Sequence, residues 1–473
     1  MRETRLLAPT PVGAPLVRVT AVAVAGALAV PAASGIRPWT SGLLAVLTVA
    51  LCVWGLVAAF DRGARLAQLV FWAFSLAWLG VAPLYQLAVG QVAWGDRSLL
   101  AMRDAVTSAQ LLVLLSLAAF LAGSHLPIRE VRRVADLDPV RTVRAAGVVV
   151  GLAVLLLPLA ARAGGGFASL FVSRQERSAA IDAAGVVAAD GGGATLGLVT
   201  LLPAALATVG CYFAILALRE HARRSRLGEW PVRAVVVALA GVAMLLTYSN
   251  PVANSRFISF AAIGCCALAA LAPRSVRAGA ALAGSAVVGL LFAYPILYAL
   301  RKPGGLAGDS PFSLADWAGP DFDGFQQWTN TVLFVGDRGP EWGRTILSAL
   351  LFWVPRSVWD GKSVPASITV AEYRGYGFTD LSLPVSAELY LNFGVAGVVV
   401  GMVALGALWA RLDHAWLTAP GSLLAVLAPV VATQQFGLIR GPMGSLAPVI
   451  GSVVLLSLAV VAYSGRRERG GDT

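Results

Sequence analysis

Twelve apolar stretches run through this chain, at about 17–36, 40–60, 66–89, 105–124, 143–161, 196–218, 233–249, 257–272, 276–299, 387–410, 421–439 and 446–464. Bilayer hydrocarbon needs about 20 consecutive apolar residues per helical crossing. Inside it the backbone polar groups have no water to bond, so a segment that crosses closes its hydrogen bonds on itself as a helix. The expected fold is therefore all-α, a polytopic membrane protein of about 12 transmembrane helices. Composition agrees: 58% of residues are hydrophobic and 13% are charged, about half the charged share of a soluble domain.

The net charge of +11 raises the question of nucleic acid. The basic residues instead fall at the ends of apolar runs and mostly on one side, as membrane topology demands. No nucleic acid is expected as a partner. Cys52, Cys211, Cys265 and Cys266 all lie within apolar runs, so neither a disulfide framework nor a zinc spacing is expected. The first run follows Arg2 and Arg5, with Arg18 near its start, and ends in Val30-Pro31-Ala32-Ala33-Ser34, the layout of a signal peptide. Its long basic stretch and the spans that follow directly favour a retained helix.

Orientation follows from arginine. With both termini in the cytoplasm, the inside loops hold Arg129, Arg132, Arg133, Arg141 and Arg144 in one cluster. Arg219, Arg223, Arg224, Arg226 and Arg233 form another, and Arg466, Arg467 and Arg469 close the chain. Short loops then carry about 21 basic residues inside against about 8 outside. The expected division is transmembrane helices 1–9 over residues 1–300, a large exterior loop over 301–386, helices 10–12 over 387–464, and a cytoplasmic tail over 465–473. Within the large loop, Ile346 to Val354 is apolar but too short to span. Leu347, Leu350, Leu351, Val354 and Val358 recur at helical spacing, with Trp353 and Trp359 at the end, the pattern of an interfacial or re-entrant helix. A second exterior loop, about 162–195, is bounded by glycine triplets at 164–166 and 191–193. No sequence repeat relates the halves, which disfavours an inverted-repeat transporter.

Charges outside the topology pattern are the informative ones. Arg256 follows the short turn Asn250-Pro251-Val252-Ala253-Asn254-Ser255 and opens a helix, where the dipole disfavours a cation. It is either held for an anionic ligand or snorkelling to headgroups. Arg356, in Val354-Pro355-Arg356-Ser357, offers planar bidentate donation to phosphate oxygens, and Lys362 adds a point charge. Both suit a lipid pyrophosphate, with headgroup anchoring as the alternative. Arg374 and Arg440 are further candidates, the latter also readable as a residue of the tight turn Arg440-Gly441-Pro442. Glu388 and Asn392 are four apart on one helix face. Glu388 is either a general base toward a sugar hydroxyl or a helix-dipole partner beside an N-cap at Ser386.

Three chemistries are set aside. His125, His221 and His414 map to cytoplasmic helix ends, which leaves no exterior histidine base. Asp321-Phe322-Asp323 has the Asp-x-Asp form of nucleotide-sugar transferases, but it is placed outside and offers too few oxygens for an octahedral metal. No phosphate-cradling P-loop is present. The segment 309–330, with Asp309, Asp316, Trp317, Asp321, Phe322, Asp323, Phe325, Gln326, Gln327, Trp328 and Asn330, suits carbohydrate through ring stacking and hydroxyl pairing. An aromatic belt accounts for Trp317 and Trp328 as well.

Pro355-Arg356-Ser357 with Trp359 and Lys362, followed by Ala387-Glu388-Leu389-Tyr390-Leu391-Asn392-Phe393-Gly394, resembles the O-antigen polymerase (Wzy-type) family of oligosaccharide repeat-unit polymerases. Asn254-Ser255-Arg256-Phe257 is similar to that family's upstream arginine turn. The likeness in motif covers residues 250–260 and 350–400, and related ligases share the plan. Asp360-Gly361-Lys362-Ser363-Val364-Pro365 departs from the family's tight Lys-Pro pattern. The resemblance implies a C-type glycosyltransferase-like fold in the plasma membrane and a glycan donor on undecaprenyl pyrophosphate. The acceptor would be a lipid-linked repeat unit, and no cofactor or metal is implied. Chain-length regulator and flippase proteins would be partners alongside membrane lipids. Arg256, Arg356 and Glu388 would be catalytic, and Lys362, Arg374, Tyr390, Asn392 and Arg440 would bind substrate. The competing classes are an O-antigen ligase-like transferase and a lipid-linked glycan flippase. A polymerase mutant displays single repeat units, a flippase mutant accumulates them inside, and a ligase mutant retains polymer on the lipid carrier.

Overall fold

A computed structural model describes residues 13–128, 137–163, 166–172, 192–224, 232–294 and 313–465. The described residues are helical and contain no strand. Nine helices among them are long and apolar enough to cross a membrane: Trp39–Ala58, Leu66–Val89, Arg103–Ser124, Pro139–Ala163, Leu201–Arg223, Val276–Ala293, Val385–Thr418, Leu423–Arg440 and Met443–Ser464. Three shorter apolar helices, Val17–Ala33, Val232–Tyr248 and Arg256–Leu271, coincide with the remaining apolar runs. The chain is a multi-pass helical membrane protein. Arg2, Arg5, Arg129, Arg132, Arg133, Arg226, Arg466, Arg467, Arg469, Asp309, Gly164, Gly165 and Gly191 lie outside the described residues.

The helices turn apolar faces outward. Val148, Leu152, Leu155 and Leu159 are all 44% or more exposed on one helix, at the 3–4 residue spacing of a single face, which marks it as a hydrocarbon face rather than a core face. Lipid tails are as apolar as leucine, so helix association rests on close packing and hydrogen bonds.

The chain forms two compact units that do not follow the sequential division at residues 300 and 386. The first comprises Met1–Arg129, Pro273–Leu417 and Gln435–Leu446; the second comprises Glu130–Ala272, Thr418–Gln434 and Ala447–Thr473. In the second unit, Asp138 caps Pro139–Leu155 by accepting from Val140 N and Arg141 N, the expected work of an Asp before proline at the first helical position. Tyr212, Phe213, Cys211, Cys265 and Cys266 sit at its core. The Tyr212 hydroxyl donates to Val426 O, and the Tyr248 hydroxyl donates to Ala153 O at 2.8 Å.

In the first unit, Arg103–Ser124 and Val385–Thr418 pack backbone against backbone. A Cβ on Gly123 would overlap Val403 O, and one on Gly406 would overlap Phe120 O. Leu66–Ser75 begins without a cap of its own. Asp413, from a distant part of the sequence, supplies it by accepting from Ala67 N at 2.8 Å and Gln68 N at 3.0 Å.

Three sequence expectations are corrected here. The helix expected over 346–354 is instead Arg344–Leu350. It stops early because Pro355 follows and the Lys362 ammonium takes the trailing carbonyls of Leu351, Phe352 and Val354. The segment 301–386 also holds a buried helix that the hydropathy pattern missed, Gly324–Arg338, in which residues 324–331 are all buried. Finally, Val385–Thr418 is two helices joined at Gly394, whose φ of 60° and ψ of −152° are non-helical and open to glycine. Glu388 and Asn392 therefore lie on a short helix ahead of the long span.

Candidate functional site

The polar residues of the first unit gather around the segment 313–338. Ser313 and Asp316 form a capping box that starts the 3-10 turn Leu314–Ala318, and a second turn, Pro320–Phe322, sets Asp321 and Asp323 before the buried helix. Two spans widen into π-turns close to this point, Leu76–Val81 and Gly289–Ala293. Such insertions recur at functional sites because they redirect a side chain within a helix. The first carries Trp78, whose Nε1 donates to Asp321 O at 2.7 Å and whose ring stacks on Phe322 at 4.6 Å. The second is followed by Tyr294, whose hydroxyl donates to Asp321 Oδ1 at 3.3 Å. Gln86 adds bonds from Nε2 to Trp317 O and Phe322 O, both 2.8 Å.

Phe322, Phe325 and Trp328 are thus core residues, at most 1% exposed, so these three rings are closed to a sugar, whereas Trp317 and Asp316 of the same segment are half-buried. Tertiary packing took Phe322 onto Trp78 of Leu66–Val89, and Trp328 onto Tyr390 with its Nε1 donating to Ser386 Oγ at 3.3 Å. The two carboxylates of Asp-x-Asp also part company. Asp321 pairs with Arg440 Nη2 at 3.5 Å. Asp323, 1% exposed, accepts from Trp94 Nε1 at 2.7 Å and from Ser382 N at 3.3 Å. Burial pushes the Asp323 carboxyl above the usual carboxylate range, against the opposing pull of Arg440 and of the bonds from Ser382 and Trp94.

Glu388 is fully buried. Its Oε1 accepts from the Thr345 hydroxyl at 3.1 Å, and its Oε2 accepts from Met443 N at 2.6 Å. Met443 opens the helix Met443–Ser464, so its N–H is one of the orphan donors at the positive end of the dipole. Asn392 completes the group by donating from Nδ2 to Thr345 Oγ1 at 2.7 Å and to Glu388 O at 2.8 Å. Arg440 stands three residues before Met443. It ends Leu423–Arg440 rather than sitting in the turn. Its carbonyl accepts from Leu383 N at 2.6 Å, and its side chain remains 23% exposed.

Arg356 lies in an exposed turn and donates from Nη1 to Lys362 O at 2.6 Å and from Nη2 to Ser363 O at 3.1 Å. Ser363 N in turn donates to Ser348 Oγ at 2.9 Å, one turn along the helix from Thr345. Arg356, Thr345, Glu388, Asn392 and Arg440 therefore sit on one connected framework whose hub is Arg344–Leu350. Lys362 has a different task from the substrate binding expected of it: all three ammonium protons go to carbonyls, at 3.1, 3.0 and 2.7 Å. Burial and the neighbouring Arg356 push its pKa below the usual lysine value. Arg374 follows Ala366–Tyr373 as its C-cap, with its Nε buried and unpaired. Tyr390 packs at a tilt against Trp328, ring centres 5.8 Å apart. Arg256 belongs to the second unit. It begins Arg256–Leu271 as expected, but at 6% exposure its guanidinium is enclosed by protein, which argues against snorkelling to headgroups.

Sequence reasoning missed Thr345, Met443 N and the loop containing Trp94. A lone threonine and a backbone amide carry no sequence signal. Trp94-Gly95-Asp96 lies between apolar runs, where an aromatic among turn residues was the available hint. Comparisons of the chain with family models, curated proteins and solved structures found no match.

Proposed function

We propose that this chain is a polysaccharide polymerase of the plasma membrane, with about twelve spans in a C-type glycosyltransferase-like arrangement and both termini cytoplasmic. It transfers an undecaprenyl pyrophosphate-linked glycan to a lipid-linked repeat unit at the outer face. The acceptor hydroxyl oxygen bonds the donor's anomeric carbon, the bond from that carbon to pyrophosphate breaks, and lipid pyrophosphate leaves. The hydroxyl proton passes to a base or to water.

The observation that carries this proposal is the part-exposed Arg440 side chain, fixed by Asp321 and joined through Met443, Glu388 and Thr345 to the segment bearing exposed Arg356. Cations held in place before the substrate arrives stabilise charge on a leaving phosphate without reorganisation at the moment of reaction. Arg440 and Arg356 are assigned that role, and Arg374 lies nearby in sequence as an auxiliary. Glu388 has no exposed surface, so orienting the framework suits it better than taking a proton directly. Tyr390 and Asn392 support the same framework. Arg256, in the second unit, is assigned pyrophosphate binding on its sequence context alone. A flippase gains no support from Asp413, since both its oxygens cap a helix.

The test is chain length made by the purified full chain in liposomes supplied with a lipid-linked repeat unit. Arg440→Ala and Arg356→Ala should each slow polymer formation about a hundredfold while the protein still inserts. Wild-type chain lengths in both variants would remove the proposal, and translocation without polymer would replace it with transport.

A further inference from the structure

Two loops of the first unit hold exposed aromatic and carboxylate side chains at one place, and the protein commits buried polar groups to keeping them there. The first loop closes on itself through Val92 N to Arg97 O at 3.0 Å and Leu99 N to Gly90 O at 3.2 Å. The second runs over residues 375–380. Gln326, 1% exposed, binds both: its Oε1 accepts from Ala93 N and Trp94 N at 3.1 and 3.0 Å, and its Nε2 donates to Trp94 O at 2.8 Å and to the Tyr376 hydroxyl at 3.1 Å. Asn330, fully buried, donates to the same hydroxyl at 3.2 Å. Asp323 fixes the Trp94 indole from below. On this base Trp94 and Phe378 stack, ring centres 5.1 Å apart and 21° from parallel. Phe378 is 47% exposed, and Asp96, Arg97, Thr379 and Asp380 around it are exposed.

A surface phenylalanine on a loop is ordinarily free to turn away from water. Here the ring is backed by Trp94, whose indole is held by the buried Asp323 carboxylate and whose backbone is held by the buried Gln326 amide. Rigid presentation of this kind is what a binding surface needs, because the ordering cost is met before the ligand arrives. An exposed aromatic ring with carboxylate, hydroxyl and guanidinium groups beside it matches the face of a sugar ring, apolar on its C–H side and rimmed by hydroxyls. Two exposed carboxylates disfavour an anionic lipid surface as the occupant.

We propose that Phe378, backed by Trp94, is a carbohydrate-stacking subsite, with the Asp96 and Asp380 carboxylates accepting hydrogen bonds from sugar hydroxyls. The inference deepens the polymerase reading, for which it supplies the place where acceptor or growing glycan rests, and it depends on that reading for its role in the reaction but not for its binding chemistry. The subsite adjoins the proposed leaving-group site through one short stretch: Asp323 holds the Trp94 indole, and Asp321, two residues before it, pairs with Arg440.

The experiment uses the purified full chain in nanodiscs against a printed panel of soluble bacterial oligosaccharides. At least one should bind. Phe378→Ala should weaken it about tenfold, the size of a lost ring contact, and Phe378→Tyr should restore it. Gln326→Leu should weaken binding with Phe378 intact, which a bystander ring would not show. No binding to the panel, or equal binding by wild type and Phe378→Ala, overturns the subsite. So does strong quenching by nitroxide lipids of a fluorophore on Phe378→Cys, which would make the ring a bilayer anchor. The two proposals fail separately: polymer made with Phe378 irrelevant to glycan binding sinks only the subsite, and Phe378-dependent binding without polymer sinks only the polymerase.

Discussion

Glu388 is the residue at which a single substitution separates architecture from chemistry. Its two oxygens serve two buried or part-buried donors, the Thr345 hydroxyl and Met443 N. Alanine leaves both without an acceptor. Each abandoned donor costs about 1–3 kcal/mol, so Glu388→Ala should destabilise the first unit by about 2–6 kcal/mol, a large part of an ordinary folding free energy of about 5–15 kcal/mol. Glutamine differs. Its carbonyl can accept from Met443 N, while its amide donates to Thr345 Oγ1, which has two lone pairs and gives only one to Asn392. The remaining cost is a reoriented hydroxyl and the lost charge at a helix N-terminus, the latter about 0.3–2 kcal/mol. Glu388→Gln should therefore unfold close to wild type and Glu388→Ala well below it, in thermal unfolding of the purified full chain followed by size-exclusion chromatography. If the alanine variant melts with wild type, the framework does not hold the Met443 helix. If glutamine is as damaging as alanine, the hydrogen-bond accounting is wrong. Chain length then assigns the role: a well-folded glutamine variant that still polymerises fits an orienting Glu388, and one that makes single units fits a proton acceptor.

Asp413→Ala should cost about 2–4 kcal/mol, since it orphans Ala67 N–H and Gln68 N–H at a borrowed helix cap; Asp413→Asn should recover part of this in the same unfolding assay. Gly406→Ala should sharply lower the yield of folded protein because its Cβ would meet backbone at Phe120, whereas Gly284→Ala, with open space around it, should be neutral or slightly stabilising. Asp323 gives a pH signature. Its folded pKa is raised by burial, so its contribution is present at low pH and is lost as pH rises through the folded value. Wild type should therefore gain stability relative to Asp323→Asn as pH falls from neutral toward about 4, and a gap that widens with rising pH in the wild type's favour would contradict this.

The division of labour between sequence and tertiary structure is visible in particular residues. Apolar run length alone made the chain helical and multi-pass, because a backbone in hydrocarbon must satisfy itself within the segment, and the helices found lie where the runs do. Local sequence also placed Arg256 at a helix start and Glu388 and Asn392 on one face, both consequences of short-range helical geometry. What it did not contain was who meets whom. Gly324–Arg338 reads as a polar loop segment, yet it is buried, since its amides find Trp94, Tyr376 and one another. Lys362 read as a ligand for phosphate and became a clip for three carbonyls, because a cation goes to whichever oxygens the fold leaves open nearby. Thr345 and Met443 N acquire meaning only beside Glu388. Hydrogen bonds and close packing between residues tens to hundreds of positions apart have no periodicity to read, so the polar framework was decided by the fold, while the membrane plan was written in the chain.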